Sequence, residues 1–445
     1  MLMLHISDIH FKSPDCLDPW MDPDAPIRTR MMRDLTEQVR KQGQVGAILI
    51  GGDIAFKAAL DEYQTARAWI QQLAQISGCP KERVFVVPGN HDVDRGVIKG
   101  SVQIQNVQHA IASTELRDRE WKLKQQLRDP TTGRLLLDAH SAYNDFAAPF
   151  GCQIWPAKPF WHQDLALEGG VALRIYGLTS TILSGREGND DKERDLYLSP
   201  LQTVLDPAPN TLNLVLCHHP VDWLDDGDAV DDALTTRAHF HLFGHKHRQR
   251  LVMDPSYVRF AAAAVNPSRN EKPYDPGYNL IRLQVEGAGA ERRVKVEVWQ
   301  RRMQDNPERF ISIQTNQGSE VFTSTISVPE EASIPALGGG ADYHGSAGAT
   351  LDATPPVDQA REDPSGTQVV QDAEATMGEE DTRDLLYRFW SLTSSQRRDI
   401  AMTLGLLKEG DMKLPEPERY GRALILAAEL KIMDKVAAEV AKMEV

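Results

Sequence analysis

Five short apolar runs punctuate the first part of the chain, at residues 2–7, 46–50, 84–87, 212–217 and 240–243. Each is rich in Val, Ile, Leu or Phe and too short for a helix, so each reads as a buried strand. Between the second and third, Tyr63, Ala66, Trp69, Ile70 and Leu73 recur on one helical face and Gly78 stops the run, which predicts an amphipathic helix. Residues 95–160 are long and partly helical, and read as an insertion near the mouth of the fold. Three later segments, "SYVRFAAAAV", "GYNLIRLQVEG" and "RRVKVEVWQRR", the last alternating at Val294, Val296 and Val298, fit antiparallel strands closing a second sheet. Near the end, "RDLLYRFWSLTSSQRRDIAMTLGL" and "RYGRALILAAELKIMDKVAAEVAKM" return to helical spacing, with Thr393-Ser394 as a helix cap and Pro415 and Pro417 dividing the halves. About 64 residues there suffice for a bundle of four or five helices.

Composition changes this picture in one place. Of the net charge of −15, residues 328–381 account for −11, with twelve acids against one base, Arg361. That stretch is also rich in Gly, Ala, Pro and Ser, cannot bury enough apolar surface to order itself, and reads as a flexible linker. The predicted organisation is therefore a domain at 1–327, an acidic linker at 328–381 and a helical interaction domain at 382–445. The rest of the chain is nearly neutral, which argues against a broadly basic nucleic-acid-binding surface. Cys16, Cys79, Cys152 and Cys217 are scattered without a CxxC pair, as expected of reduced thiols in a cytoplasmic protein. The N-terminus lacks the regions of a secretory signal, and no apolar run approaches the roughly 18 residues of a membrane span.

Chemistry-bearing residues sit just beyond the five apolar runs. They are Asp8-Ile9-His10, Gly51-Gly52-Asp53, Gly89-Asn90-His91-Asp92, His218-His219-Pro220 and Gly244-His245-Lys246-His247. In α/β sheets such strand ends are where sites assemble. The donors are nitrogen and oxygen without sulfur, a set that suits Mn, Fe, Zn, Ni or Mg. Alternation along an extended segment would put both donors of Asp8-x-His10, and of His245-x-His247, on one side. Asp53 has the carboxylate to bridge two cations, and two such cations suit phosphoryl transfer. His5, His239 and His241 lie inside strands and read as core histidines. Ser184-Gly185-Arg186 and residues 266–270 follow strand-like runs and are weaker candidates for substrate contact. "GLTSTILSG" lacks the elbow of a serine hydrolase.

This ordered set resembles the calcineurin-like metallophosphoesterases, across residues 8 to 247. The resemblance implies an α/β fold, a four-layer αββα sandwich, with a dinuclear centre of two divalent metal ions, Mn foremost. By motif, one metal is held by Asp8, His10, Asp53 and His247, and the other by Asp53, Asn90, His218 and His245. His91 would be unliganded and would protonate the leaving-group oxygen or stabilise charge on the phosphate, and Asp92 would accept from its other ring nitrogen and orient it. His219 reads as a pocket or structural residue. The substrate is a phosphoester: a cyclic or other small nucleotide on one reading, nucleic acid on another, the latter kept open by Arg248, Arg250, Arg301 and Arg302. The helical tail resembles the effector-associated adaptor domains of bacterial defence systems. That implies a protein partner, and leaves a nuclease effector of a defence or repair system as the alternative.

Overall fold

In a computed structural model of the chain, the described residues are 1–329, 379–407, 411, 414 and 416–443. In chain order the elements are β1 (Leu2–Ile6), α1 (Ala25–Gln42), β2 (Ala47–Ile50), α2 (Leu60–Ser77) and β3 (Val84–Val86). Five helices follow: α3 (Arg95–Lys99), α4 (Val102–Ala112), α5 (Leu116–Arg128), α6 (Pro130–Asp138) and α7 (Ser141–Ala147). Next come β4 (Trp161–Ala166), β5 (Ala172–Gly177), β6 (Thr211–Cys217), α8 (Gly227–Arg237), β7 (Phe240–Phe243), β8 (Arg250–Met253) and β9 (Val258–Ala261). The strands end with β10 (Gly277–Glu286), β11 (Arg293–Asp305), β12 (Glu308–Ser312) and β13 (Phe322–Ser327). The tail holds α9 (Glu379–Ser391), α10 (Ser394–Thr403), α11 (Glu416–Glu429) and α12 (Met433–Met443).

Two mixed sheets face each other. One runs β12-β11-β10-β1-β2-β3, with β13 also on β11, and the other runs β4-β5-β6-β7-β9-β8. The strands that read as continuous apolar runs are the central ones: β1, β2, β3, β6 and β7 are buried at every position, as parallel strands covered on both faces must be. Alternation along β6 sorts its two faces. Leu212, Leu214 and Leu216 join the core between the sheets, while Val215 and Cys217 pack under Val230 and Leu234 of α8. Leu35 of α1 and Ile70 and Leu73 of α2 close the far side of the first sheet, which gives the four-layer order.

The late strands differ from their expected places. β10 pairs antiparallel with β1 and β11 with β10, so both extend the first sheet. Only β9 joins the second, and it runs parallel to β7. Period-2 alternation reports a half-buried strand without naming its partner, so sheet membership was beyond it. The expected helix after β2 forms as α2, with Gly78 closing it at φ 69°. Thr393 caps α10 in a reciprocal capping box with Gln396. The predicted acidic linker at 328–381 lies almost wholly outside the described residues.

The helical tail is docked against the first domain. Ala148 is part of its hydrophobic core, beside Leu385, Phe389 and Tyr420. Tyr387 accepts a hydrogen bond from Gln71 of α2 at 2.7 Å and lies under the Lys81 ammonium, 5.3 Å from the ring centre. The expected tether itself lies outside the described residues, while α9 packs on α12 and on the Ala148–Phe150 and Lys81–Arg83 turns of the first domain. Tyr387→Ala is expected to raise amide hydrogen exchange around Lys81–Arg83 and Ala148–Phe150 while leaving the central strands protected. Unchanged exchange at both places would contradict the docking.

Candidate metal centre

Five turns, at the ends of β1, β2, β3, β6 and β7, converge on one cleft between the sheets. Their first means of convergence is backbone conformation. Asp8, His10, Asp53, His245 and His247 all adopt left-handed φ, between 52° and 69°. Such angles are uncommon outside glycine and concentrate at functional sites. Asp8-x-His10 and His245-x-His247 are therefore tight turns and not the extended segments expected from their spacing. The donors meet because the chain reverses locally. The backbone N–H groups of Ile9 and His10 both donate to the Asp53 carbonyl, at 2.9 and 3.0 Å, which locks the first turn onto the second. Gly89 is required by closeness: a Cβ there would lie 2.1 Å from Asp53 Oδ1. Gly244 is similar, since its Cβ would fall 2.1 Å from Ser7 Oγ.

The side chains form overlapping groups. Ligating atoms lie within 4.8 Å of one another in the set Asp8, His10, His247, in the set Asp8, Asp53, His218, in the set His10, Asp53, His91, and in the set His218, His219, His245. Asp8 Oδ1 stands 3.3 Å from His247 Nε2, and Asp53 Oδ2 3.3 Å from His218 Nε2. Asn90 Oδ1 is surrounded by His218 Nε2 at 3.1 Å, His219 Nε2 at 3.2 Å and His245 Nδ1 at 3.0 Å. His219 thus enters the cluster, where a pocket or structural role had been expected, with Ser180 Oγ 2.8 Å from its Nδ1. His5, His239 and His241 stay outside, as expected of strand histidines: His241, for example, bonds the Leu234 and Ala238 carbonyls.

The ring orientations come from atoms that carry no sequence signature. His218 Nδ1 is 2.7 Å from the Gly51 carbonyl, which leaves Nε2 toward the cleft. His247 Nδ1 lies 2.8 and 2.9 Å from the two oxygens of Glu271, an arrangement that fixes the tautomer and the ring plane of a ligating imidazole. Glu271 was missed because it sits in the loop after Asn266, with no motif around it. Of the weaker candidates, Asn266 clamps the first turn by donating to the Ile9 carbonyl at 2.6 Å, whereas Ser184 and Gly185 bond Asp191 and stand apart from the cluster.

Asp92 requires a correction. It does not touch the His91 ring: His91 Nδ1 is held by the Phe56 carbonyl at 2.9 Å, and the ring stacks on Phe56 with centroids 4.9 Å apart. The Asp92 carboxylate, fully buried, instead accepts from Ile54 N, Ala55 N, Gly89 N and Tyr63 Oη, at 2.9 to 3.2 Å. A short acid just after a turn caps backbone N–H groups more easily than it reaches a neighbouring ring pointing the other way. Glu62 serves the Phe56 loop in the same manner, accepting from the backbone N–H of Phe56, Lys57 and Ala59.

Electrostatics divide the histidines. Burial lowers His10 to about 4 and His245 to about 3. His218 and His247 are buried too, but the carboxylates of Asp53 and Asp8 raise them to about 9 and about 10, with Glu271 also acting on His247. Reciprocally, burial would raise Asp8 and Asp53, yet their histidine neighbours hold both below the usual carboxylate range.

Comparison with known proteins follows the same lines. The chain belongs to the calcineurin-like phosphoesterase family, whose model matches residues 1–249. A second model, the GTPase-associated adaptor domain, matches residues 381–442. The chain is 22% identical over 257 residues to the uncharacterized metallophosphoesterase-like protein YydB of Bacillus subtilis (strain 168), covering 55% of this chain and 48% of YydB. The chain thus spans about half the length of the curated relative it matches. Among solved structures it is similar to Vacuolar Protein Sorting 29 of Cryptosporidium parvum, at 12% identity, TM-score 0.32, over 73% of this chain and 97% of that one. It is also similar to a putative 5'-nucleotidase of Staphylococcus aureus, at 11% identity, TM-score 0.32, over 74% and 55%. Within the described residues no helix is long and apolar enough to cross a membrane.

Asp92→Asn should destabilise the fold by roughly 2–4 kcal/mol, because an amide NH2 would face donors that now share two carboxylate oxygens; urea unfolding measures it, and parental stability would exclude this role. The pH dependence of the metal-free chain has a definite sign. A histidine raised on folding stabilises fully below its unfolded value of 6.5 and loses that contribution as pH rises through its folded value. The contribution of His218 and His247 therefore fades from about pH 6.5 toward 9 and 10. The urea midpoint of EDTA-treated protein should decline over that range, and Glu271→Gln should shorten the decline at its upper end.

Proposed function

We propose that the chain is a dinuclear metal-dependent phosphodiesterase with an attached protein-interaction domain. One observation carries the reading: Asp8, His10, Asp53, Asn90, His218, His245 and His247, from five separate turns, aim nitrogen and oxygen donors into one small space. The residues fit cations on two counts. Asp8 Oδ1 is buried and meets only His247 Nε2, at 3.3 Å and outside hydrogen-bond geometry, a poorly satisfied state for a buried carboxylate oxygen. His10 Nε2 and His247 Nε2 converge to 3.4 Å, so that two imidazole nitrogens of ligand type face one point between them. Asp8, His10, Asp53 and His247 would hold one divalent ion, and Asp53, Asn90, His218 and His245 the other, with His219 beside the second. When bound, such a pair supplies positive charge for phosphoryl oxygens and lowers the pKa of a water for attack.

The chain's own residues do the rest. His91 carries its Nδ1 proton to the Phe56 carbonyl, so Nε2 is free toward the cleft. In the imidazolium form that nitrogen delivers a proton to the leaving oxygen, and the stacked Phe56 ring keeps its direction constant. Asp92 acts through the backbone as a positioning residue. A phosphoester with a good leaving group, such as bis-p-nitrophenyl phosphate, is the natural first substrate, and Mn(II) the first metal. The adaptor-domain match supports a protein partner bound through residues 381–442.

With Mn(II) the protein is expected to hydrolyse bis-p-nitrophenyl phosphate, and with EDTA to stop. Asp53→Asn should lose both metal and turnover. His91→Ala should keep about two ions per chain by elemental analysis while turnover falls by about two to four orders of magnitude. Loss of an ion in His91→Ala would instead make His91 a ligand.

A further inference from the structure

Beside the metal-centre residues the surface opens into a cavity of about 260 Å³, lined by His247, Arg248, Arg250, Asp275, Arg302 and Ile313 among others. His247 is a shared wall: its Nε2 faces Asp8 and His10 while its ring borders the cavity. The three arginines come from different places, one from the His-x-His turn, one from the start of β8 and one from β11. Arg248, Arg250 and Arg302 are exposed. Among the described residues Arg248 and Arg250 meet no carboxylate, and Arg302 reaches Asp275 only at 4.0 Å. Arg301, next in sequence, shows what a structural arginine looks like here: buried and held by Asp34 at 2.6 and 2.9 Å. Among the described residues, two guanidinium groups without a carboxylate partner and a third held only loosely border one concavity, which suits it to an anion. The guanidinium fork matches phosphate oxygens in geometry as well as charge.

We propose that this cavity binds a second phosphate of the substrate, next to the scissile one. The proposal rests on the phosphodiesterase reading above and narrows it. A 3′,5′-cyclic mononucleotide has a single phosphate and leaves the arginines unused. The substrate class assigned here is a phosphoester with a further phosphate close by, as along a nucleic-acid backbone or in a nucleoside polyphosphate chain. Either supplies the same chemistry to Arg248, Arg250 and Arg302.

The test compares three esters with the Mn(II)-loaded full-length protein. They are p-nitrophenyl thymidine 5′-phosphate, the same ester with an added 3′-phosphate, and the p-nitrophenyl ester of thymidine 5′-diphosphate. One of the two-phosphate esters is expected to exceed the first in kcat/KM by about tenfold or more, with the gain shrinking as salt rises. A gain confined to the 3′-phosphate points to a nucleic-acid backbone, and one confined to the diphosphate to a nucleoside polyphosphate. Arg250→Gln and Arg302→Gln, which lie on separate strands, should each remove most of the gain. Equal kcat/KM for all three esters, or a gain that survives both substitutions, overturns the assignment. Failure to hydrolyse any ester, bis-p-nitrophenyl phosphate included, overturns the phosphodiesterase reading itself and takes the cavity assignment with it.

Discussion

The geometry of the cleft hangs on one buried carboxylate. Asp92 ties the turn after β2, the turn after β3 and the first part of α2 to a single pair of oxygens. The His91 backbone N–H donates to Asp53 Oδ1 across the same two turns, at 2.8 Å, so Asp53, Asn90 and His91 are held as a group around that carboxylate. The acids of this region fall into two kinds by how they are satisfied. Asp92 and Glu62 are surrounded by backbone N–H donors, and so they shape loops. Asp8 Oδ1 meets only His247 Nε2, at 3.3 Å and outside hydrogen-bond geometry, and so it has something left to bind. Satisfaction of lone pairs separates the scaffold from the site better than residue type does.

The family and the layer order were legible because they are written in features that sequence displays directly. Buried parallel strands show as unbroken apolar runs, and the turns beyond them carry donors that only a few kinds of chemistry require. The errors have a common origin in contacts made by backbone atoms or by distant residues. The Phe56 carbonyl that orients His91 has no letter of its own, and Asp92 was given that task because adjacency in sequence resembled adjacency in space. Glu271 lies 24 positions from His247 and cannot be paired with it from spacing. Alternation in β10 and β11 gave two strands but not the sheet they would join. Four arginines looked alike as letters, and burial separated Arg301 from the other three.

Helix α2 connects regions that the domain order would keep apart. Its first turn presents Glu62 and Tyr63 to the loops of the cleft, and its later turn presents Gln71 to Tyr387 of the helical tail. A helix is stiff over this length, so the tail is seated on the same rigid element that supports the Phe56 loop and Asp92. The adaptor region and the cleft therefore share a physical support even though some 50 residues of acidic chain separate them in sequence.

The left-handed backbone at Asp8, His10, Asp53, His245 and His247 restricts which residues could ever stand there. Among side chains with a donor for a hard or borderline cation, Asp, Asn and His enter that conformation several times more readily than others. Glutamate is the obvious chemical substitute for aspartate, but it lacks that tolerance, and a branched or bulky residue would strain the turn before any coordination was lost. Drift at these five positions is thus confined to a very small alphabet by two unrelated filters, one set by coordination and one by peptide geometry. A homologue that had lost its catalysis would still be under pressure to keep much of the same lettering.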